Sequence, residues 1–261
     1  MRQIILYFIF ILLISSSYAH ETSNGVTDLA VTIKYTAVNY LIIASIIAGV
    51  FVLISYYAYR KKYTHYKTIM FSGIVVPILI STLYLVGGTI YVNSISETKG
   101  PIHWHADFEI YGCDNWIDLK DPTGISNRIG TPVFHEHGDN RVHVEGTVVK
   151  KSTIDLHNFF SVIGGELTEN TVTIPTDDGQ ISYTNGDLCN GQEGTLQVFV
   201  YKTTGTAVTQ EKITDFENYI LSPYQQVPPG DCVIIEFGEE KQHTTHMCSS
   251  YRLALEKANG S

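Results

Sequence analysis

Ile102-His103-Trp104-His105-Ala106-Asp107-Phe108-Glu109-Ile110-Tyr111, followed further on by Val133-Phe134-His135-Glu136-His137-Gly138-Asp139-Asn140-Arg141-Val142-His143-Val144-Glu145, is the part of the chain that decides its fold. The first stretch reads as a strand. The second reads as two extended runs, 133–137 and 141–148, folded back around Gly138-Asp139-Asn140. Successive side chains of a strand point to opposite faces, so His103 and His105 share one face while Trp104 and Phe108 serve the other. The hairpin can be tested by counting. A three-residue loop of Gly138, Asp139 and Asn140 sets His135 opposite His143; a five-residue loop sets His137 opposite His143 and His135 opposite Glu145. Either odd count keeps His135, His137, His143 and Glu145 on one face, and an even count splits them. Asn140 suits the left-handed residue that closes a three-residue loop, which favours the odd count.

Five of the ten histidines thus fall within 41 residues, as His103-x-His105, His135-x-His137 and His143-x-Glu145. Each pair presents two ligand groups on one strand face. Clustered imidazoles with few carboxylates and no free thiolate suit copper(II) or zinc far better than calcium or magnesium. The candidate metal ligands are His103, His105, His135, His137, His143 and Glu145, with Asp139 as a group that could ligate or orient an imidazole. His20 joins them if the leader is cleaved after Ala19, because an N-terminal His offers both its amine and its ring to copper. The competing reading is a hydrogen-bonded His network or a pH sensor. His103-x-His105-x-x-x-Glu109 matches one cupin element, but the glycine spacings and the second cupin motif are missing. His157 reads as a surface or packing residue, His65 belongs to the basic loop over 60–67, and His243-x-x-His246 reads as an exposed tail or a weaker metal pair.

Around this centre the sequence predicts an α+β domain, mostly antiparallel sheet with one main helix over 154–163. Ser152 or Thr153 would cap that helix, and Gly164-Gly165 would end it. Further strands are predicted over 171–174, 180–184, 195–201 and 231–237, separated by turn signals; 213–221 is ambiguous between helix and coil. Four cysteines allow three pairings. Order and spacing favour Cys113–Cys189 and Cys232–Cys248.

The rest of the chain is of a different kind. Residues 1–97 hold six Lys or Arg against three Asp or Glu, and residues 98–261 hold 11 against 23. So acidic a domain is repelled by phosphate backbones, which excludes nucleic acid as a partner. Arg2, an apolar run from Ile4 to Ile14 and Ser15-Ser16-Ser17-Tyr18-Ala19 have the order of a signal peptide over 1–19, with an uncleaved anchor as the alternative. A short segment, 20–36, leads to two apolar stretches without formal charge, 37–59 and 68–92, each long enough to cross a bilayer. Between them, 60–67 carries four cations and reads as a cytoplasmic loop. The expectation is a cell-membrane protein with two transmembrane helices, a linker over 93–101 and an extracytoplasmic His-rich domain over 102–261.

The run from Ile102 to Asp107, the run from Phe134 to Gly146, Leu156 to Gly165, Ser222-Pro223-Tyr224 and Val227-Pro228-Pro229-Gly230-Asp231 together resemble an uncharacterised family of membrane-anchored proteins of archaea and bacteria. That resemblance implies an extracytoplasmic anchored domain. The order of leader, His20, two spans and an outer H-x-H domain is also similar in outline to the B subunit of particulate methane and ammonia monooxygenases, although only 20–36 stand where that subunit has a copper-binding domain. The functions to be tested are a metal-binding protein for capture, delivery or sensing of copper or zinc, a metal-dependent enzyme, and an accessory subunit that meets other membrane subunits through its helices.

Overall fold

The computed structural model describes residues 29–62, 65–204, 207–221 and 230–259. The leader, His20 and 222–229 lie outside them. The chain divides into two units, 1–99 and 100–261.

In the first unit, helix α1 (Leu29–Arg60) and helix α2 (Lys67–Ile95) are both long and apolar enough to cross a membrane. They extend past the expected spans at both ends and take in Lys34, because the apolar run bounds only the stretch that suits lipid, whereas backbone hydrogen bonding continues through polar residues. The two helices pack closely. Tyr40 meets Tyr84 edge-on at 4.9 Å between ring centroids, and a Cβ at Gly73 or Gly88 would strike the Phe51 ring or the Ile33 side chain. Small residues at such points let helix backbones approach. Outward-facing Leu53, Phe71 and Leu83 are more than half exposed on the protein itself. The linker is shorter than 93–101, since α2 runs to Ile95 and the first strand starts at Pro101.

The second unit contains β1 (Pro101–Gly112), β2 (Asn115–Ile117), β3 (Ile129–Gly130), β4 (Phe134–Glu136), β5 (Arg141–Thr147), helix α3 (Leu156–Ile163), β6 (Glu166–Leu167), β7 (Thr171–Thr176), β8 (Gly179–Thr184), β9 (Leu188–Cys189), β10 (Gln192–Glu193), β11 (Thr195–Thr204), β12 (Ala207–Ile213), β13 (Cys232–Gly238) and helix α4 (Ser249–Asn259). The main sheet runs β12-β11-β13-β1-β5-β4-β3, with β2 on β1. It is mixed, which qualifies the antiparallel expectation: β1 and β13 are parallel, joining two antiparallel halves along the middle. The run Cys232-Val233-Ile234-Ile235-Glu236-Phe237 is buried throughout, as a central strand covered on both faces must be.

Helix α3 covers one face. Phe159 packs 5.4 Å from Phe108 and 5.5 Å from Phe134, and Leu156, Phe160 and Ile163 complete its buried stripe. The helix starts two residues later than expected. Asp155, not Ser152 or Thr153, is its cap: the Asp155 carboxylate accepts the Asn158 N–H at 2.8 Å, while Lys151–Thr153 form a separate 3-10 turn. Gly164 ends it with φ 90°.

Helix α4 covers part of the other face, so the domain has a second helix that the expectation of one did not include. Tyr251 is fully buried with Phe199, Tyr201, Ile234 and the Cys232–Cys248 disulfide, and Leu255, one turn on, packs against the same cluster. Glu109 Oε1 accepts from Ser249 N and Oγ, both at 2.7 Å, placing a carboxylate where a helix N-terminus favours one. Residues 214–221 form turns and a single bridge. A second disulfide joins Cys113 to Cys189.

Candidate metal centre

The strand registers bring the histidines together. His105 on β1 lies opposite His143 on β5, and His143 opposite His135 on β4, so one row of three imidazoles crosses three strands. In the next row His103 faces Glu145. The pairing of His135 with His143 is the register of the three-residue count; Gly138 and Asn140 both have positive φ (77° and 55°), and His137 follows directly after β4. All five rings project from the face that α4 covers elsewhere, beyond the cluster around Tyr251. Ring centroids lie 4.6 Å apart for His103–His105 and 4.7 Å for His105–His143, His137–His143 and His135–His137.

Among the described residues, two triads could hold a metal ion. In His103/His105/His143, and in His135/His137/His143, one ligand nitrogen from each residue lies within 4.8 Å of the others. His143 belongs to both. They differ in depth: His135 is 0% exposed, while the His103 side chain is 60% exposed.

Hydrogen bonding sets the rings up as ligands. His137 Nδ1 is held by the carbonyl of Asn127, which fixes its proton on Nδ1 and leaves the lone pair on Nε2. That lone pair faces His135 Nε2 at 3.1 Å. Two nitrogens sharing a zinc ion with bonds of about 2.0–2.1 Å at a tetrahedral angle sit roughly 3.3 Å apart, so the observed spacing fits a shared ion with little movement. Without an ion, the contact requires the proton on His135 Nε2, and Nδ1 of the same ring is then buried with no hydrogen-bond partner, as is His143 Nδ1. Asp139 Oδ2 lies 3.3 Å from His143 Nε2, and Glu145 Oε1 3.1 Å from His103 Nε2. All four cysteines are paired, so no thiolate competes.

The turn itself is held from behind. Glu136, pointing to the opposite face between His135 and His137, is 1% exposed and accepts from Asp139 N at 2.6 Å and Asn140 N at 3.1 Å. Burial pushes its carboxyl up from the usual range, and the turn's N–H groups oppose that. On the far side of the cluster, Arg141 Nε bonds buried Asp107 at 2.6 Å. Gly230, with φ 78°, lies so close to the His105 carbonyl that a Cβ could not fit there.

Burial favours the neutral form of His135, His105 and His143. His135 falls to about 4 from 6.5, chiefly by desolvation, with Glu145 opposing and His137 and His143 adding repulsion. His105 is lowered by burial and then by His143, His103 and Arg141, and His143 by burial against the pull of Asp139. Neutral rings are the form that binds metal. For the metal-free protein this has a sign. Between pH 6.5 and about 4 the unfolded chain binds protons that folded His135 refuses, so its contribution is complete above pH 6.5 and is lost as pH falls towards 4. Urea unfolding of chelator-treated protein is expected to show a lower midpoint at pH 5 than at pH 7.5, with a smaller difference in His135→Asn. Equal pH dependence in the two proteins would contradict this.

The structure thus brings His103, His105, His135, His137 and His143 into one cluster. Glu145 and Asp139 stand outside both triads, each against a member imidazole. His20 lies outside the described residues. His246 stacks on Tyr111 at 3.7 Å with Nδ1 3.0 Å from Glu236, away from the cluster. Three supports had no sequence signal tied to this role: the Asn127 carbonyl, which any residue could supply; Glu136, masked by its place between two ligands; and Gly230, distant in the chain. No family model matches the chain, and neither a curated protein nor a solved structure matches it.

Proposed function

We propose that this chain is a membrane-anchored, extracytoplasmic metal-binding protein that captures copper or zinc at the outer face of the membrane for delivery or sensing. The observation that carries the reading is the inner triad: buried His135 with His137 and His143, one ligand nitrogen from each within 4.8 Å of the others and His135 Nε2 3.1 Å from His137 Nε2. An all-imidazole set is the donor chemistry of zinc and copper(II), and not of calcium or magnesium. Three protein ligands leave a coordination position open, which suits an ion that is exchanged. The location is supported by two apolar helices, by cations between them at Arg60, Lys61, Lys62 and Lys67, and by a domain whose cysteines are all paired, as in an oxidising compartment.

The test is elemental analysis of the full-length protein purified in detergent and dialysed against copper or zinc. About one ion per chain is expected, and less than roughly a tenth of that when His103, His105, His135 and His137 are all changed to Ala, since the single imidazole left in both triads, His143, is a weak ligand by itself. A parent protein without metal, or a fourfold variant that keeps all of it, would remove the reading.

A further inference from the structure

Resting on that reading, we propose that the two triads are successive stations for one ion. His103, His105 and His143 take the ion from solution, and His135, His137 and His143 hold it, with His143 bound throughout.

Three observations carry this. His143 is common to both sets, so an ion can move from one to the other without ever losing its hold on the protein. The outer set is the more exposed: the His103 side chain is 60% exposed and His105 half-buried, whereas in the inner set His135 is fully buried and His137 partly buried, with the shared His143 side chain 10% exposed. The rings also stand in an unbroken series, each 4.6–4.7 Å from the next, from His103 through His105 and His143 to His137 and His135. Carboxylates flank the series at each station, Glu145 beside His103 and Asp139 beside His143, and offset the charge of a dication as it moves inward.

The exchange balances. Two metal–imidazole bonds, to His103 and His105, break as two, to His135 and His137, form. His137 already presents its lone pair, and His135 frees Nε2 by moving its proton to Nδ1, so no proton is released and no electron moves. Simultaneous filling is disfavoured, because the one His143 lone pair that serves both triads cannot bind two ions and two dications so close repel.

The experiment is stopped-flow mixing of metal-stripped full-length protein in detergent with Co2+, whose visible bands report its ligand geometry. Two phases are expected: a first whose rate rises with Co2+ concentration, and a second, independent of it, in which the spectrum changes with no further uptake. In His103→Ala/His105→Ala the first phase should vanish and the final spectrum should form in one step at least tenfold more slowly. In His135→Ala/His137→Ala the reaction should stop after the first phase. The same pairs changed to Gln, closer in volume to His, repeat the test should an Ala pair fail to fold. A single phase in the parent, two Co2+ per chain at saturation, or parental loading rates in the outer-pair variant would overturn the relay while leaving a metal site in place. Absence of any Co2+ spectrum would overturn the metal reading itself, and the relay with it.

Discussion

Replacing His143 with Ala is expected to lower metal affinity by more than about a hundredfold, the largest loss of any single substitution in the domain. Removing a group that merely orients a ligand costs roughly 10–100-fold, and His143 is a member of both ligand triads. His103 or His105 touches only the outer set, and His135 or His137 only the inner. The domain should survive the change. Val142 and Val144, on the opposite face of β5, are at most 1% exposed and hold the strand in the core, whereas the His143 ring carries a buried nitrogen without a partner whose desolvation the native state must bear. Chelator competition gives the affinity, and tryptophan fluorescence gives the fold: both tryptophans, Trp104 and Trp116, belong to the second unit, so their signal reports that unit alone. An affinity within tenfold of the parent's, with fluorescence unchanged, would mean that the triads do not share this residue in use.

The convergence of the imidazoles could be read from the chain because strand periodicity is strict. With a period of two, one odd-length turn decides that His135, His137 and His143 share a face, and Asn140, tolerant of positive φ, signals that length. The helix over 154–163 and the two apolar helices were equally visible, since their stop signals, periods and lengths are local properties. What could not be read depends on distant partners. The parallel β1–β13 pairing follows from how two antiparallel halves meet, and no local pattern encodes that, although the continuous burial of β13 is its consequence. Helix α4 has a largely polar sequence whose order comes from Tyr251 seated against Phe199 and Ile234 and from Glu109, 140 residues away, at its first turn. The start of α3 was misplaced because Ser152, Thr153 and Asp155 are all competent caps, and only the backbone path chooses Asp155.

The second large effect is on stability. Changing Cys113 and Cys189 together to Ser should cost about 4.5 kcal/mol, because the bond closes a loop spanning 76 residues and the entropy it removes from the unfolded chain grows with the logarithm of that span. The Cys232–Cys248 bond spans only 16 residues, and the same relation gives about 3 kcal/mol. In a domain of this size each kilocalorie moves the melting temperature by about 2–4 °C, so the first variant should melt roughly 10 °C or more below the parent, followed by tryptophan fluorescence. The order of the two variants tests the cause. Cys248 and its partner Cys232 lie in the cluster that seats Tyr251, so the shorter bond also tethers α4 to the sheet. Should the Cys232→Ser/Cys248→Ser protein prove the less stable of the two, loop entropy would not be the main source of stabilisation, and the packing of α4 over the histidine-bearing face would have to carry the difference.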